Sequence, residues 1–144
     1  MGRAQQLDPH IECPWLGLFA YGVDDATVYF GRTRLVRQLD RLLEQRRFVA
    51  VVGASGSGKS SLAAAGLATA GWQPYVVRAG TSAASEIDGL LAGPQRGDPR
   101  LVVVLDGLET LFQEVQFDDR EALFGRLLDL ALNPDGDSKV AVVC

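Results

Sequence analysis

An octapeptide in the first half of the chain constrains the fold more than any other feature. Residues 53–60 read GASGSGKS and fit the pattern G-x-x-x-x-G-K-[ST]. The apolar run FVAVV precedes the octapeptide, and the alanine-rich segment SLAAAGLATAG follows it. This order predicts a buried parallel strand, a glycine-rich loop and then a helix.

The residue types of the octapeptide suit the binding of nucleotide phosphates. Glycines let the backbone turn so that successive N–H groups point at phosphate oxygens, and the following helix adds the positive end of its dipole. Lys59 is predicted to reach the β- and γ-phosphates, and the Ser60 hydroxyl is predicted to ligate Mg²⁺. The predicted nucleotide-binding residues are Gly53, Ala54, Ser55, Gly56, Ser57, Gly58, Lys59, Ser60, Ser61 and, in a turn before the loop, Arg32.

A carboxylate follows the second strongly apolar run, LVVVL at residues 101–105. Asp106 ends this run, where it could hold Mg²⁺ directly or through water, although an ordinary turn aspartate is the alternative. Glu109 could orient the attacking water as a base, or could be a solvated residue at a helix start. The predicted catalytic residues are therefore Lys59 and Glu109, and the predicted metal ligands are Ser60 and Asp106. Because Gly107 stands where many hydrolysing proteins carry Glu, nucleotide binding is a firmer expectation than hydrolysis.

Strands and helices are predicted to alternate along the chain. Strands are expected at residues 48–53, 74–79, 101–105 and 140–143, and helices near 34–44, after the loop to Gly71, at 81–92 and at 117–132. The helix near 34–44 has an apolar stripe of Leu35, Val36, Leu39, Leu42 and Leu43. The last helix is expected to face inward with Leu123, Phe124, Leu127, Leu128 and Ala131. Such alternation is typical of an α/β fold with a parallel sheet.

Charge and composition exclude several classes of protein. A formal net charge of −4 argues against a dedicated nucleic-acid binder. No apolar segment is long and uniform enough to predict a membrane span or a secretory signal. The two cysteines, Cys13 and Cys144, have no metal-ligand spacing and suit a reducing, cytoplasmic location. A GTPase is disfavoured, since no N-K-x-D motif occurs.

With these motifs together, the chain resembles the STAND class of signal-transduction NTPases. It looks most like the bacterial novel STAND group, whose members are often fused to WD-repeat or other sensor domains. The resemblance runs from about residue 13 to the last residue. Its segments are CPWLGLFAY, DDATVYFGR, RRFVAVVGASGSGKSSLAAAGL and LVVVLDGLETLF.

The resemblance implies a three-layer P-loop core of the additional-strand type, with strand order 1-4-3-2. It implies binding of ATP and Mg²⁺ by a nucleotide-dependent switch, with Gly53 to Ser60 as Walker A, Asp106 as the Walker B acid and Glu109 as the second acid. The implied partners are C-terminal helical or sensor-repeat domains and an effector domain, with oligomerisation that depends on the nucleotide. The chain would divide into a flexible leader (1–12), an N-terminal arm with the FGR turn (13–32) and a partial core (33–144).

The resemblance also implies a fifth strand, a sensor residue and a helical lid, none of which follows strand four in this sequence. We therefore expect a fragment that is inactive by itself, with residues 48–52 as an exposed apolar edge, unless the arm folds over that edge. The full-length protein is expected to hydrolyse ATP. Two other functions stay open, namely an ordinary ATPase motor or remodelling enzyme and a nucleotide-binding or interaction module that does not hydrolyse.

Overall fold

The computed structural model describes residues 17, 19–93, 98–114, 116–132 and 139–143. The leader at 1–12 and the first part of the arm, 13–16, lie outside the described residues, so the predicted division of the chain stays a prediction there. Among the described residues, no helix is both long and apolar enough to cross a membrane.

Four parallel strands form the sheet. Strands β1 (Phe48–Val51), β2 (Gln73–Arg78), β3 (Leu101–Asp106) and β4 (Lys139–Val143) lie in the order β1-β4-β3-β2. All three neighbouring pairs are parallel, with Phe48 opposite Val140 and Arg78 opposite Asp106. The carboxyl ends of the strands therefore meet at one edge, which is where ligands bind in open α/β sheets. The predicted α/β class is confirmed.

Helices connect the strands and lie along the sheet. The helices are α1 (Thr33–Gln45), α2, which begins at Lys59 within the octapeptide, α3 (Ala83–Ala92), α4 (Leu111–Glu114) and α5 (Phe117–Leu132). Helix α2 consists of an α-helical turn Lys59–Ser61, a π-helical segment Leu62–Gly66 and a second α-helical turn Leu67–Thr69. Short 3₁₀ turns occur at Val23–Val28 and Leu108–Thr110.

Strand β3 shows why the sheet needs cover on both faces. Its residues 101–105 are all buried, because successive side chains point to opposite faces and each face carries a helical layer. Leu101, Val103 and Leu105 pack with residues of α3 and α5. Val102 and Val104 pack with residues of α1 and α2 on the other face. The apolar run LVVVL thus forms the centre of both halves of the core.

The inward face predicted for α5 is partly wrong. Leu123 and Leu127 are buried as expected, but Phe124 is 36% exposed and Leu128 is 58% exposed. Leu130 is buried instead. The helix has apolar residues over more than half of its circumference, so the 3.6-residue period alone does not decide which of two overlapping apolar stripes meets the sheet.

Candidate functional site

Residues 53–58 of the octapeptide form a compact loop between β1 and α2. Gly56 and Gly58 have φ values of +73° and +82°, a region that L side chains rarely adopt. The Ser57 N–H donates to the Ala54 carbonyl over 3.1 Å and closes a turn inside the loop. The glycines that the motif predicted are thus required by the backbone at these two positions.

Lys59 is the first residue of α2 and reaches back across the loop. Its Nζ atom donates to the Ala54 carbonyl over 3.0 Å. Because this contact holds the ammonium group above the loop, an anion seated in the loop would meet a positive charge without a large movement of the side chain.

The two predicted metal ligands lie in contact, although 46 positions separate them in sequence. The Ser60 hydroxyl donates to Asp106 Oδ1 over 2.9 Å. Parallel strands bring them together, since Ser60 follows the loop after β1 and Asp106 ends β3 at the same edge of the sheet. A hydroxyl and a carboxylate supply the hard oxygen ligands that Mg²⁺ prefers.

Glu109 lies on the 3₁₀ turn that follows β3. Gly107 has φ of +77° and lets the chain turn directly after Asp106. The Thr110 hydroxyl lies 2.8 Å from the Gly107 carbonyl and 3.1 Å from the Ala79 carbonyl and shares its one hydrogen between them, which holds the turn against the end of β2. The Glu109 side chain is exposed and lines the same cavity as Asp106.

Arg32 joins the turn before α1 to the loop. Its Nη1 atom donates to the Ser57 carbonyl over 2.6 Å. The guanidinium group also lies over Gly58, where an added Cβ would come within 3.0 Å of it. Arg32 therefore adds a positive charge at the loop, and its predicted role in nucleotide binding stays a prediction.

A cavity of about 970 Å³ runs between the loop and the described part of the arm. Of the predicted site residues, those lining it are Gly53, Ser55, Gly56, Gly58, Lys59, Ser60, Ser61, Arg32, Asp106 and Glu109. Ala54 and Ser57 are absent from this lining and contribute their carbonyl groups to Lys59 and Arg32 instead.

Four aromatic residues of the arm also line the cavity, and sequence reasoning did not assign them to the site. These are Phe19, Tyr21, Tyr29 and Phe30. The rings of Tyr21 and Tyr29 meet edge to face at 5.8 Å between centroids. The signal that could have found them is the pair of aromatic clusters, LFAY and VYF, that flank the acidic turn before Arg32.

Tyr29 is partly buried and packs against the half of the core that α1 and α2 form. Burial raises the pKa of its phenol above the ordinary value, and the positive charge of Arg32 opposes that rise. The hydroxyl is buried and has no hydrogen-bond partner within the described residues. The phenol therefore stays protonated at neutral pH and keeps a donor for which the described residues offer no acceptor.

Comparison with protein families finds a match over the first half of the chain. The family model described as Novel STAND NTPase 1 matches residues 14–88, which include the arm, the octapeptide and β2. The match ends before Asp106 and Glu109. No curated protein and no solved structure matched the chain.

Proposed function

Since the chain belongs to the novel STAND NTPase 1 family, a family of nucleotide-binding domains, we propose that it binds ATP with Mg²⁺ at the octapeptide loop. The observation that carries this proposal is the contact between the Ser60 hydroxyl and Asp106 Oδ1 at 2.9 Å. Two residues that were predicted separately as metal ligands thus meet at the edge of the sheet that the loop occupies.

The residues around the cavity fit a nucleotide with its metal. Lys59 and Arg32 supply positive charge for the phosphates, and the backbone N–H groups that follow Ser57 supply donors. Ser60 and Asp106 would hold Mg²⁺, whose remaining ligands in such sites are phosphate oxygens and waters. When bound, the metal would neutralise charge on the phosphates. The arm aromatics offer apolar faces for a nucleobase.

We further propose that the domain acts as a slow switch rather than as a fast ATPase. Glu109 is the only acid other than Asp106 that lines the cavity, among the residues described, and it is exposed to solvent. An exposed carboxylate that has no hydrogen-bond partner among the described residues is a poor base for orienting water. The expected behaviour is retention of nucleotide over many minutes, and sustained turnover near the median enzyme rate of roughly 10 per second would contradict it.

Lys59→Ala tests the binding proposal. The substitution removes a charge-assisted contact worth about 1.5–3 kcal/mol, which corresponds to a loss of about ten- to a hundredfold in ATP affinity. The measurement is calorimetric titration with ATP and Mg²⁺. The matched control is Lys139→Ala, which removes an equal charge at the amino end of β4, away from the loop. Equal affinity of the two variants would show that the loop is not the nucleotide site.

A further inference from the structure

The described part of the arm is attached to the loop and to α2 at three points. The Tyr21 N–H donates to Ser61 Oγ over 3.0 Å. The Tyr29 ring packs against Gly66 so closely that an added Cβ would lie 3.2 Å from Tyr29 Cε1. Arg32 donates to the Ser57 carbonyl. Residues 19–32 therefore touch the loop at its end and α2 at its first and second turns.

The contact at Ser61 differs from the other two because it involves a group that can also bind a nucleotide. Ser61 is only 8% exposed, yet it lines the cavity next to Ser60. A hydroxyl has one hydrogen to donate and lone pairs to accept. The Tyr21 N–H occupies the Ser61 oxygen as an acceptor, and the Ser61 hydroxyl makes no other hydrogen bond within the described part of the chain.

We infer that the Tyr21 N–H is a positioning group that fixes the Ser61 hydroxyl for donation to a nucleotide phosphate, so that docking of the arm and binding of the nucleotide favour each other. The inference rests on the proposed function and adds a regulation of the same site. An N–H donated to the oxygen orients the hydroxyl and polarises it, which strengthens the bond that the hydroxyl donates in turn. Coupling of this kind is reciprocal, so a bound nucleotide must stabilise the docked arm by the same free energy by which the docked arm stabilises nucleotide binding.

The first measurement is a double-mutant cycle on ATP affinity in the presence of Mg²⁺. Tyr21→Pro removes the backbone donor together with the ring, so Tyr21→Ala, which loses the ring but keeps the N–H, is the reference for it, and Ser61→Ala removes the hydroxyl. Relative to Tyr21→Ala, Tyr21→Pro is expected to weaken binding about two- to tenfold, as is Ser61→Ala relative to the wild type, as for one hydrogen bond. Tyr21→Pro combined with Ser61→Ala is expected to bind no more weakly than Tyr21→Ala combined with Ser61→Ala, since the loss of the N–H and the loss of the hydroxyl break one chain of contacts. Ser61→Thr keeps the hydroxyl and is expected to restore most of the affinity.

Val23→Pro is the matched control for a proline in the arm. Val23 is the first residue of the 3₁₀ turn, a position that accepts proline, and it is absent from the cavity lining. The preceding Gly22 has φ of −84° and ψ of −175°, which is the extended conformation that a following proline requires. This variant keeps the Tyr21 N–H, so the coupling is expected to persist in it.

The second measurement is amide hydrogen exchange at Tyr21 by NMR, with and without a non-hydrolysable ATP analogue and Mg²⁺. Protection of this amide is expected to rise several-fold with the nucleotide in the wild type and to stay unchanged in Ser61→Ala at saturating nucleotide. A purely structural contact would give the same protection in both states.

The possible outcomes separate the two proposals. The coupling is wrong, and the proposed function stands, if the wild type binds the nucleotide but the fold losses in ATP affinity of the two changes multiply in the double variant. The same conclusion follows if hydrogen exchange at the Tyr21 amide is unchanged by the nucleotide. If the wild type binds no ATP at all, both proposals are overturned. Non-additive losses together with nucleotide-dependent protection at Tyr21 support the coupling.

Discussion

The hydrogen bond between Ser60 and Asp106 has a consequence for the dependence of binding on metal. Asp106 is partly buried at the end of β3, and its carboxylate lies within the same cavity as the loop. In metal-free protein a negative charge at this point repels the phosphates of a nucleotide, whereas Mg²⁺ would offset that repulsion.

Asp106→Asn is therefore expected to make ATP binding insensitive to Mg²⁺. The amide keeps the shape of the side chain but removes the charge, so metal-free binding should survive or improve. Titrations with ATP in Mg²⁺ and in chelator give the ratio of affinities, and Asp118→Asn on the exposed start of α5 is the matched control. An unchanged ratio in Asp106→Asn would identify Asp106 as a turn residue only.

Gly58 and Gly71 form a natural pair for testing the loop, because both have φ near +80°. Alanine at either position costs about 1–2 kcal/mol through the left-handed backbone conformation. An added Cβ at Gly58 would also come within 3.0 Å of the Arg32 guanidinium, whereas nothing lies within 4 Å at Gly71. Both variants should lower the Tm to a similar extent, but only Gly58→Ala should weaken ATP binding. Equal loss of ATP affinity in both would assign the effect to stability alone.

The elements themselves were largely predictable from sequence. Apolar runs such as LVVVL predict buried strands because a strand covered on both faces has no polar side, and α5 begins and ends where its pattern predicts. The octapeptide motif predicted the position of the loop, because the octapeptide has glycine at positions where the loop backbone adopts a positive φ. Of the apolar stripe predicted for α1, Val36, Leu39 and Leu43 are buried. Leu35 and Leu42 lie at the edge of the stripe and are 44% and 38% exposed.

The contacts of the arm were not predictable in the same way. Its segment LFAYGVDDATVYF has neither a helical nor a strand period, so no face could be assigned to it. The Tyr21 contact to Ser61 uses a backbone donor, which no side-chain pattern records. The π-helical segment Leu62–Gly66 also carries no sequence signal beyond small residues, although π segments are frequent at functional sites.

Gly66 tests how tightly α2 packs against the arm and α1. An added Cβ would lie 3.2 Å from Leu62 Cδ1, Tyr29 Cε1 and Val36 Cγ2, so three neighbours must move together. Gly89 in α3 has nothing within 4 Å, which makes it the matched helical control.

Gly89→Ala should raise the free energy of unfolding by about 1 kcal/mol through helix propensity. Gly66→Ala should lower it by about 1 kcal/mol or more, since overpacking outweighs that gain. Urea denaturation of both variants gives the comparison. If Gly66→Ala instead raises the free energy of unfolding, the side chains around Gly66 can move to accommodate the added methyl group at little cost.

At the scale of the whole molecule, β1 occupies one edge of the sheet that the described residues form. Phe48 in this strand is 45% exposed, and Val52 just beyond it is 76% exposed. An edge strand presents unpaired N–H and C=O groups, and apolar side chains beside them favour pairing with another chain. The edge also lies directly before the octapeptide loop, so pairing there would bring a second molecule close to the proposed nucleotide site.

Phe48→Lys is expected to reduce self-association of the 144-residue chain. A lysine at the edge adds a charge that opposes strand pairing, and its aliphatic stem can still cover the surface that Phe48 covers. Sedimentation velocity over a range of concentrations gives the monomer fraction. Gln38→Lys adds the same charge on the exposed side of α1 and controls for net charge. The β1 edge accounts for association only if Phe48→Lys raises the monomer fraction more than Gln38→Lys does. A wild-type chain that stays monomeric at high concentration would show instead that the edge is protected.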